Sequence, residues 1–357
     1  MQAHAPTLSA DVKRQRQAFY DRIAADNLTP LWEVLGALVP PTPRSVAVPA
    51  LWRYAELRSK VLEAGTLISA AEAERRVLIL ENPGLRGQSS ITPSLYAGWQ
   101  LIMPGEVAPA HRHTQSALRL VLDGKGAYTA VDGERTTMRR GDFIITPSWT
   151  WHDHGNLGDE PVVWLDGLDI PLVRFLEASF AEKMEQVAGA QAQQTELRSE
   201  GDALARFGAN MVPVDFKQTA SEPTRVFTYP YERTRAALQV IARGTPDAHH
   251  GFKQRFVNPA TGASPMPTMG TFTQWLPGGF TTRPSRCTDG TVHVCLEGAA
   301  VAEVEGIEHR LAPNDVLVVP SWHSLRLRAD TACDTVLFSY SDRPVQRALG
   351  LWREERM

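Results

Sequence analysis

The run Gly105-Glu-Val-Ala-Pro-Ala-His111-Arg-His113 decides how this chain is read. A second run answers it: Gly141-Asp-Phe-Ile-Ile-Thr-Pro147-Ser-Trp149-Thr-Trp151-His152-Asp-His154-Gly-Asn156. The first run reads as a strand. Side chains alternate faces along a strand, so His111 and His113 point one way and Arg112 the other. His152 follows a second strand-like segment, Asp142 to Thr146. A sheet that closes into a small barrel brings it beside the first two histidines. Three neutral imidazoles then hold one face of a divalent ion and leave the opposite positions open.

At 357 residues the chain has room for two ordinary domains or one with elaborations. A net charge of −3 and a pI near 6.4 give no electrostatic reason to expect nucleic acid or an anionic membrane as partner. No apolar run approaches the roughly 20 residues of a membrane span. Met1 to Tyr20 is polar and charged, without the hydrophobic centre of a signal peptide. The three cysteines, Cys287, Cys295 and Cys333, form no metal-finger spacing, and their odd number fits a reducing compartment. The expectation is a soluble cytoplasmic protein that binds neither nucleic acid nor membrane.

Outside the histidine runs, the texture changes along the chain. Ser9 or Asp11 caps a helix to about Asn27, Pro30 opens a second through Leu38, and Pro49 starts a third that Gly65 stops. A short helix from Ser69 to Glu74 follows. From Val77 onward, short β-rich runs alternate with Gly, Pro and Asp, the pattern of a barrel or sandwich. Pro171 begins a predicted long helix through about Arg198, with Leu172, Phe175, Leu176, Phe180 and Met184 on one side. Another helix is expected near Glu232–Arg243.

An internal repeat organises the rest. Gly279-x5-Ser285-Arg-Cys287-x3-Thr291-x6-Gly298 has the spacing of Gly105-x5-His111-Arg-His113-x3-Ala117-x6-Gly124. Pro320-Ser-Trp322 repeats Pro147-Ser-Trp149. The second copy holds Ser285, Cys287 and Leu325 at the ligand positions, with His323 two places early. The second copy is therefore expected to be structural, leaving one working site.

The two runs resemble the paired motifs of the cupin superfamily, G-x5-H-x-H-x3,4-E-x6-G and G-x5-P-x-G-x2-H-x3-N. Two positions depart from the pattern: Ala117 replaces the glutamate, and Trp149 replaces the second glycine of the second motif. Without the carboxylate, the ligands are His111, His113 and His152 alone. The resemblance implies a mainly β bicupin, two double-stranded β-helix (jelly-roll) barrels with N-terminal and inter-domain helices. The expected division is residues 1–84 helical, 85–170 the metal-binding barrel, 171–265 a helical and irregular linker, 266–342 the degenerate barrel and 343–357 a tail.

Three neutral ligands leave Fe(II) with its full positive charge, whereas a carboxylate-containing triad removes part of it. Such a site suits a dianionic hydroxy-carboxylate. Three runs, Ala97 to Arg119, Gly141 to His154 and Trp164 to Pro171, resemble gentisate 1,2-dioxygenases, and the similarity extends over nearly the whole chain. Salicylate and 1-hydroxy-2-naphthoate dioxygenases share that frame. The resemblance implies ring cleavage with O2, one Fe(II) per chain and a homotetramer. It also implies roles by position. Arg119, six after His113 and of the same parity, would grip the substrate carboxylate. His154 would bond a ring hydroxyl or oxygen, Gln100 would touch substrate, and Asp166 would support the site. Arg75 would be a second arginine near the carboxylate, with adjacent Arg76 competing for that register. Tyr96 and Gly98 would shape the pocket floor. Trp149 and Trp151 read as barrel core. A non-catalytic bicupin sensor is the rival reading, but the sequence offers neither a helix-turn-helix nor a basic patch for one.

Overall fold

Residues 9–185, 194, 196–219 and 221–357 are described by a computed structural model of the protein. Two compact units make up the chain, one ending at Arg44 and one beginning at Ser45. In the first unit, Ser9 Oγ accepts from Val12 N at 3.3 Å and starts the helix Ala10–Ala25. A second helix, Leu31–Leu38, follows Pro30. Tyr20 ties the two together, donating to Glu33 at 2.6 Å and accepting from Trp32 Nε1 at 2.9 Å.

The second unit contains two barrels of the same plan, each a six-stranded antiparallel sheet facing a five-stranded one. In the first barrel the larger sheet runs Thr228–Tyr229, Phe143–Thr146, Ala117–Asp123, Val162–Leu168, Tyr96–Ile102, Val77–Ile79. The smaller runs Ala181–Lys183, Val107–His113, His152–Asn156, Ala127–Val131, Glu134–Thr137. The second barrel repeats this order, with its larger sheet carrying Thr291–Glu297 and Gly270–Leu276 and its smaller sheet carrying Ser285–Cys287 and Leu325–Ala329. Apart from Glu134–Thr137 and Ile307–Leu311, the edge strands come from segments outside residues 85–170 and 266–342. Ala50–Trp52 completes the second barrel and Thr228–Tyr229 the first. Such covering strands remove the open edges that invite mispairing.

The two larger sheets are buried on both faces. Their outer faces share one core, in which Trp99, Leu118, Leu120 and Leu165 of the first barrel join Val292, Val294, Phe338 and Tyr340 of the second. That explains the near-continuous apolar runs in these strands. Gly167 marks the closest approach, since a Cβ there would lie 2.8 Å from the Tyr340 ring. Inside the first barrel, Ile102, Val121, Ile144, Val162 and Trp164 form a separate apolar plug at one end. The opposite end is polar, and the histidines are there.

Two expectations are corrected. The long helix from Pro171 to Arg198 is absent among the described residues. The described residues form Ile170–Phe175, then the strand Ala181–Lys183, which pairs with His111–His113; Met184 and Glu185 are helical, and residues 186–193 and 195 lie outside the described residues. Phe175, Leu176 and Phe180, read as part of one side of that helix, are exposed. The segment after Pro49 begins as a strand, and its helix spans Tyr54–Leu67, past Gly65.

Candidate metal centre

The ligand strand Val107–His113 pairs with His152–Asn156, and a β-bulge sets which side chains face inward. Ala108 lies opposite His154, but His111 lies opposite His152, so one extra residue is inserted at Pro109–Ala110. Without that insertion, His111 and His113 would turn to the other face. Proline, lacking an N–H, is well suited to the bulge. As a result the nitrogens of His111, His113 and His152 lie within 4.8 Å of one another. Arg112 points outward, as alternation requires, and its Nε donates to Glu182 at 2.8 Å.

The turn before His152 is locked onto the same strand. Trp149 N donates to His113 O at 2.7 Å, and Ser148 Oγ donates to Thr114 O at 2.6 Å. Trp149 has a φ of +59°, the left-handed region that favours glycine, which is why a motif glycine occurs at this place. For tryptophan that conformation costs about 1–2 kcal/mol. The Arg112 guanidinium lies 4.6 Å from the Trp149 ring centre and 4.7 Å from that of Trp151, and each such contact returns about 0.5–1 kcal/mol. Trp149 is thus exposed and clamped by Arg112, not barrel core as expected, and Trp151 is half-buried in the same clamp.

The imidazoles are prepared as neutral donors. His113 Nδ1 donates to Gln115 O and His152 Nδ1 to Thr150 O, both at 2.8 Å, which leaves each Nε2 lone pair free. His152 Nε2 is fully buried without a partner. Burial pushes His113 down to about 4, and burial with Arg75 and His113 pushes His111 down to about 2. Burial also holds His152 and His154 well below the ordinary histidine value. Three converging neutral nitrogens, one of them orphaned, fit a divalent cation.

The wall beside them comes from the larger sheet. One row across it reads Ile79, Gly98, Asp166, Arg119, Ile144, so these residues share the inner face with Tyr96 and Gln100. Arg119 reaches this face through sheet register. Strand parity does not connect it to His113, because Thr114 to Ser116 interrupt the strand and Arg119 belongs to the facing sheet. It is buried at 4 % exposure. Its Nη1 donates to Thr146 Oγ1 at 2.9 Å, while its Nε stands 3.6 Å from Asp166 Oδ1 and has no hydrogen-bond partner. Asp166 accepts from Trp164 Nε1 at 2.9 Å, and burial raises its carboxyl to about 6 against the pull of Arg119. Gly98 leaves room that any side chain would fill, for a Cβ there would meet Val77 at 2.5 Å and the Tyr96 hydroxyl at 2.9 Å.

The two neighbouring arginines separate cleanly. Arg76 is buried and makes a two-point pair with Glu106 at 2.9 and 2.7 Å. Arg75 faces the site, with Nη2 2.9 Å from His111 Nε2 and 3.1 Å from Pro109 O. Burial, reinforced by Arg119, lowers Arg75 to about 10, so it stays charged. Arg75 and His111 open onto a cavity of about 530 Å³ that Glu74, Pro109 and Lys183 also line. A cleft of equal volume near Arg140, Tyr231 and Arg235 holds no imidazole, so chemistry rather than size identifies the site.

Sequence reasoning passed over Thr129, Met138 and Thr146. Thr129 Oγ1 lies 3.1 Å from Met138 Sδ and 3.0 Å from His154 Nδ1. A hydroxyl proton directed to the sulfur leaves Thr129 to accept from His154 Nδ1–H, the tautomer in which the buried and otherwise unpartnered Nε2 is an acceptor. No motif carries these residues; only the strand register brings them together. Asn156, by contrast, serves the turn, accepting from Gly158 N and donating to Glu160 O.

The second copy has the same scaffold without the ligands. Trp322 has a φ of +63°, its N donates to Cys287 O at 2.7 Å, and Arg286 lies over its ring. Ser285 pairs with Leu325 where His111 pairs with His152. Among the described residues, His111, His113 and His152 form the one group of three such ligands.

Two jelly-roll barrels, one carrying a three-imidazole centre, define a metal-binding bicupin, and residues 98–168 match the cupin domain family. The chain is 51% identical over 347 residues to gentisate 1,2 dioxygenase 1 of Aquipseudomonas alcaligenes, covering 97% of each. It is 40% identical over 349 residues to a gentisate 1,2-dioxygenase of a Streptomyces species, covering 94% of this chain and 95% of that one. The crystal structure of salicylate 1,2-dioxygenase from Pseudoaminobacter salicylatoxidans, an adduct with gentisate, superposes with a TM-score of 0.89 at 32% identity, covering 100% of this chain and 96% of that one. The chain belongs to the gentisate 1,2-dioxygenase family.

Proposed function

We propose that this protein is an Fe(II)-dependent dioxygenase that opens gentisate, 2,5-dihydroxybenzoate, to maleylpyruvate. The bond broken joins the carboxylate-bearing and hydroxyl-bearing ring carbons, and both atoms of O2 enter the product. The observation that carries this reading is the convergence of His111, His113 and His152 opposite a buried arginine, beside a cavity large enough for an aromatic acid. Bound Fe(II) supplies the electronic path by which an electron-rich ring reacts with O2 without an external reductant.

The chain's own residues do the rest. His111, His113 and His152 hold the ion through neutral nitrogens. Arg119, steadied by Thr146 and Asp166, presents its remaining N–H groups to the substrate carboxylate, and Arg75 adds a second positive charge. A His111 nitrogen that held the ion would no longer accept from Arg75, whose guanidinium would then be open to the substrate. His154 Nε2 accepts a hydrogen bond from a ring hydroxyl and favours its deprotonation. Gln100 borders the bound ring, while Tyr96 and Gly98 set the floor beneath it.

We place the enzyme in the cytoplasm as a homotetramer with one iron per chain, in keeping with the family resemblance. No helix among the described residues is long and apolar enough to cross a membrane. Anaerobic Fe(II) reconstitution followed by oxygen uptake with gentisate, salicylate and 1-hydroxy-2-naphthoate tests the substrate. Gentisate should give the highest kcat/KM. Uptake with either of the others and none with gentisate would overturn the assignment.

A further inference from the structure

The second barrel keeps polar residues where it has lost its metal ligands. In the repeat, Gln274 stands at the place of Gln100, His293 at that of Arg119 and Ser339 at that of Asp166. Of these, Gln274 and His293 line a cavity of about 50 Å³ together with Lys253, Cys287 and Arg343. Lys253 pairs with Gln274 in register and so faces the same side of the sheet.

The charges around this cavity are matched, with one exception. Arg343 Nε donates to Asp289 at 3.1 Å, and Trp352 Nε1 takes the other oxygen of that carboxylate at 2.7 Å. Glu354 is engaged by Arg356 at 3.1 Å and faces His250 at 3.7 Å. Arg286 is held by Glu355. Lys253 has no hydrogen bond or ion pair among the described residues; it lies 5.0 Å from the Phe272 ring centre, within electrostatic reach of Asp289, Glu354 and Arg343. Beside it, His293 is 3 % exposed and its Nδ1 is buried without a partner. Burial, with Lys253 nearby, lowers His293 to about 3, so it is neutral. A lysine without a hydrogen-bonding partner and an orphaned ring nitrogen line one cavity, and the buried nitrogen is costly unless something joins it.

From this we infer that the second barrel binds a small carboxylate-sized monoanion, held by the Lys253 ammonium and a His293 N–H. Size sets the class. The cavity has about a third of the roughly 150 Å³ that accommodates a benzene ring, too little to enclose a second aromatic substrate. A metal is disfavoured as well, since no set of three ligating atoms gathers there among the described residues. The site is independent of the ring-cleavage reading.

Formate is a suitable probe. It would be titrated calorimetrically into the full-length iron-loaded enzyme under anaerobic conditions, with gentisate saturating the first barrel and sulfate balancing ionic strength. One saturable site per chain is expected. Lys253→Met should weaken it about tenfold or more through loss of a charge-assisted hydrogen bond, with gentisate turnover unchanged. His293→Phe provides a second variant with the same expected loss should Lys253→Met fail to fold. Absence of saturable formate binding, or equal affinity in the wild type and either variant, would overturn the assignment.

Discussion

Replacing Arg119 with lysine keeps the charge and removes the fork. In the native protein one guanidinium nitrogen is committed to Thr146 at 2.9 Å and another stands 3.6 Å from Asp166. The planar group can satisfy these neighbours and still offer N–H groups to a carboxylate. An ammonium on a shorter, unbranched stem cannot reach Thr146 and grip both substrate oxygens together. The variant therefore loses one arm of a buried charge-assisted pair, about 1.5–3 kcal/mol. At about 1.4 kcal/mol per tenfold, kcat/KM for gentisate should fall roughly ten- to hundredfold. The carboxylate is held alike in ground and transition states, so the loss should appear mainly in KM. Oxygen-electrode rates across a range of gentisate, with iron per chain measured on the same preparation, give the answer. Wild-type kcat/KM with full iron would refute carboxylate binding by Arg119. Loss of iron would mean that Arg119 acts by supporting the metal centre.

Thr129→Val removes the acceptor that fixes His154, so turnover should drop about tenfold while iron is retained, and Thr129→Ser should restore it; equal rates for the valine variant would dismiss the tautomer argument. Gly98→Ala places a methyl 2.9 Å from the Tyr96 hydroxyl and 2.5 Å from Val77, an overpacking of about 1–3 kcal/mol. It should alter KM for gentisate more than for salicylate, and identical ratios would remove Gly98 from the pocket floor. Burial raises Asp169 to about 6, above the roughly 3.9 of an unfolded aspartate. Its contribution is therefore full below about pH 4 and is lost as pH rises through 6. The melting temperature of the wild type minus that of Asp169→Asn should fall over that interval, and a constant difference would contradict the burial argument.

Much of the fold was legible because the repeat constrains it. Glycines and the Pro-Ser-Trp turn recur at matching places, and both copies form the same hydrogen bond from the turn tryptophan to the ligand strand. The grouping of His111, His113 and His152 was legible from spacing, although spacing did not reveal that a bulge at Pro109–Ala110 turns the first two toward the third. Arg119 was identified from a resemblance, and the parity offered for it does not survive the intervening turn. Register between distant strands, which no local pattern encodes, is what joins Arg119 to Asp166 and His154 to Thr129. The same limit explains the failed helix after Pro171. Its apolar spacing fitted a helix, but pairing with the edge of the ligand strand claimed Ala181–Lys183 instead. The choice between Arg75 and Arg76 also lay beyond the sequence, because Glu106, thirty residues away, captures Arg76.

A single metal held by the first barrel is the centre of the proposed chemistry. Metal analysis of anaerobically reconstituted wild type, His113→Ala and His323→Ala, paired with gentisate turnover, tests that claim most directly. One iron per chain is expected in the wild type and in His323→Ala, both of them active, with neither iron nor turnover in His113→Ala. Two irons per chain in the wild type, or normal iron after loss of His113, would contradict it.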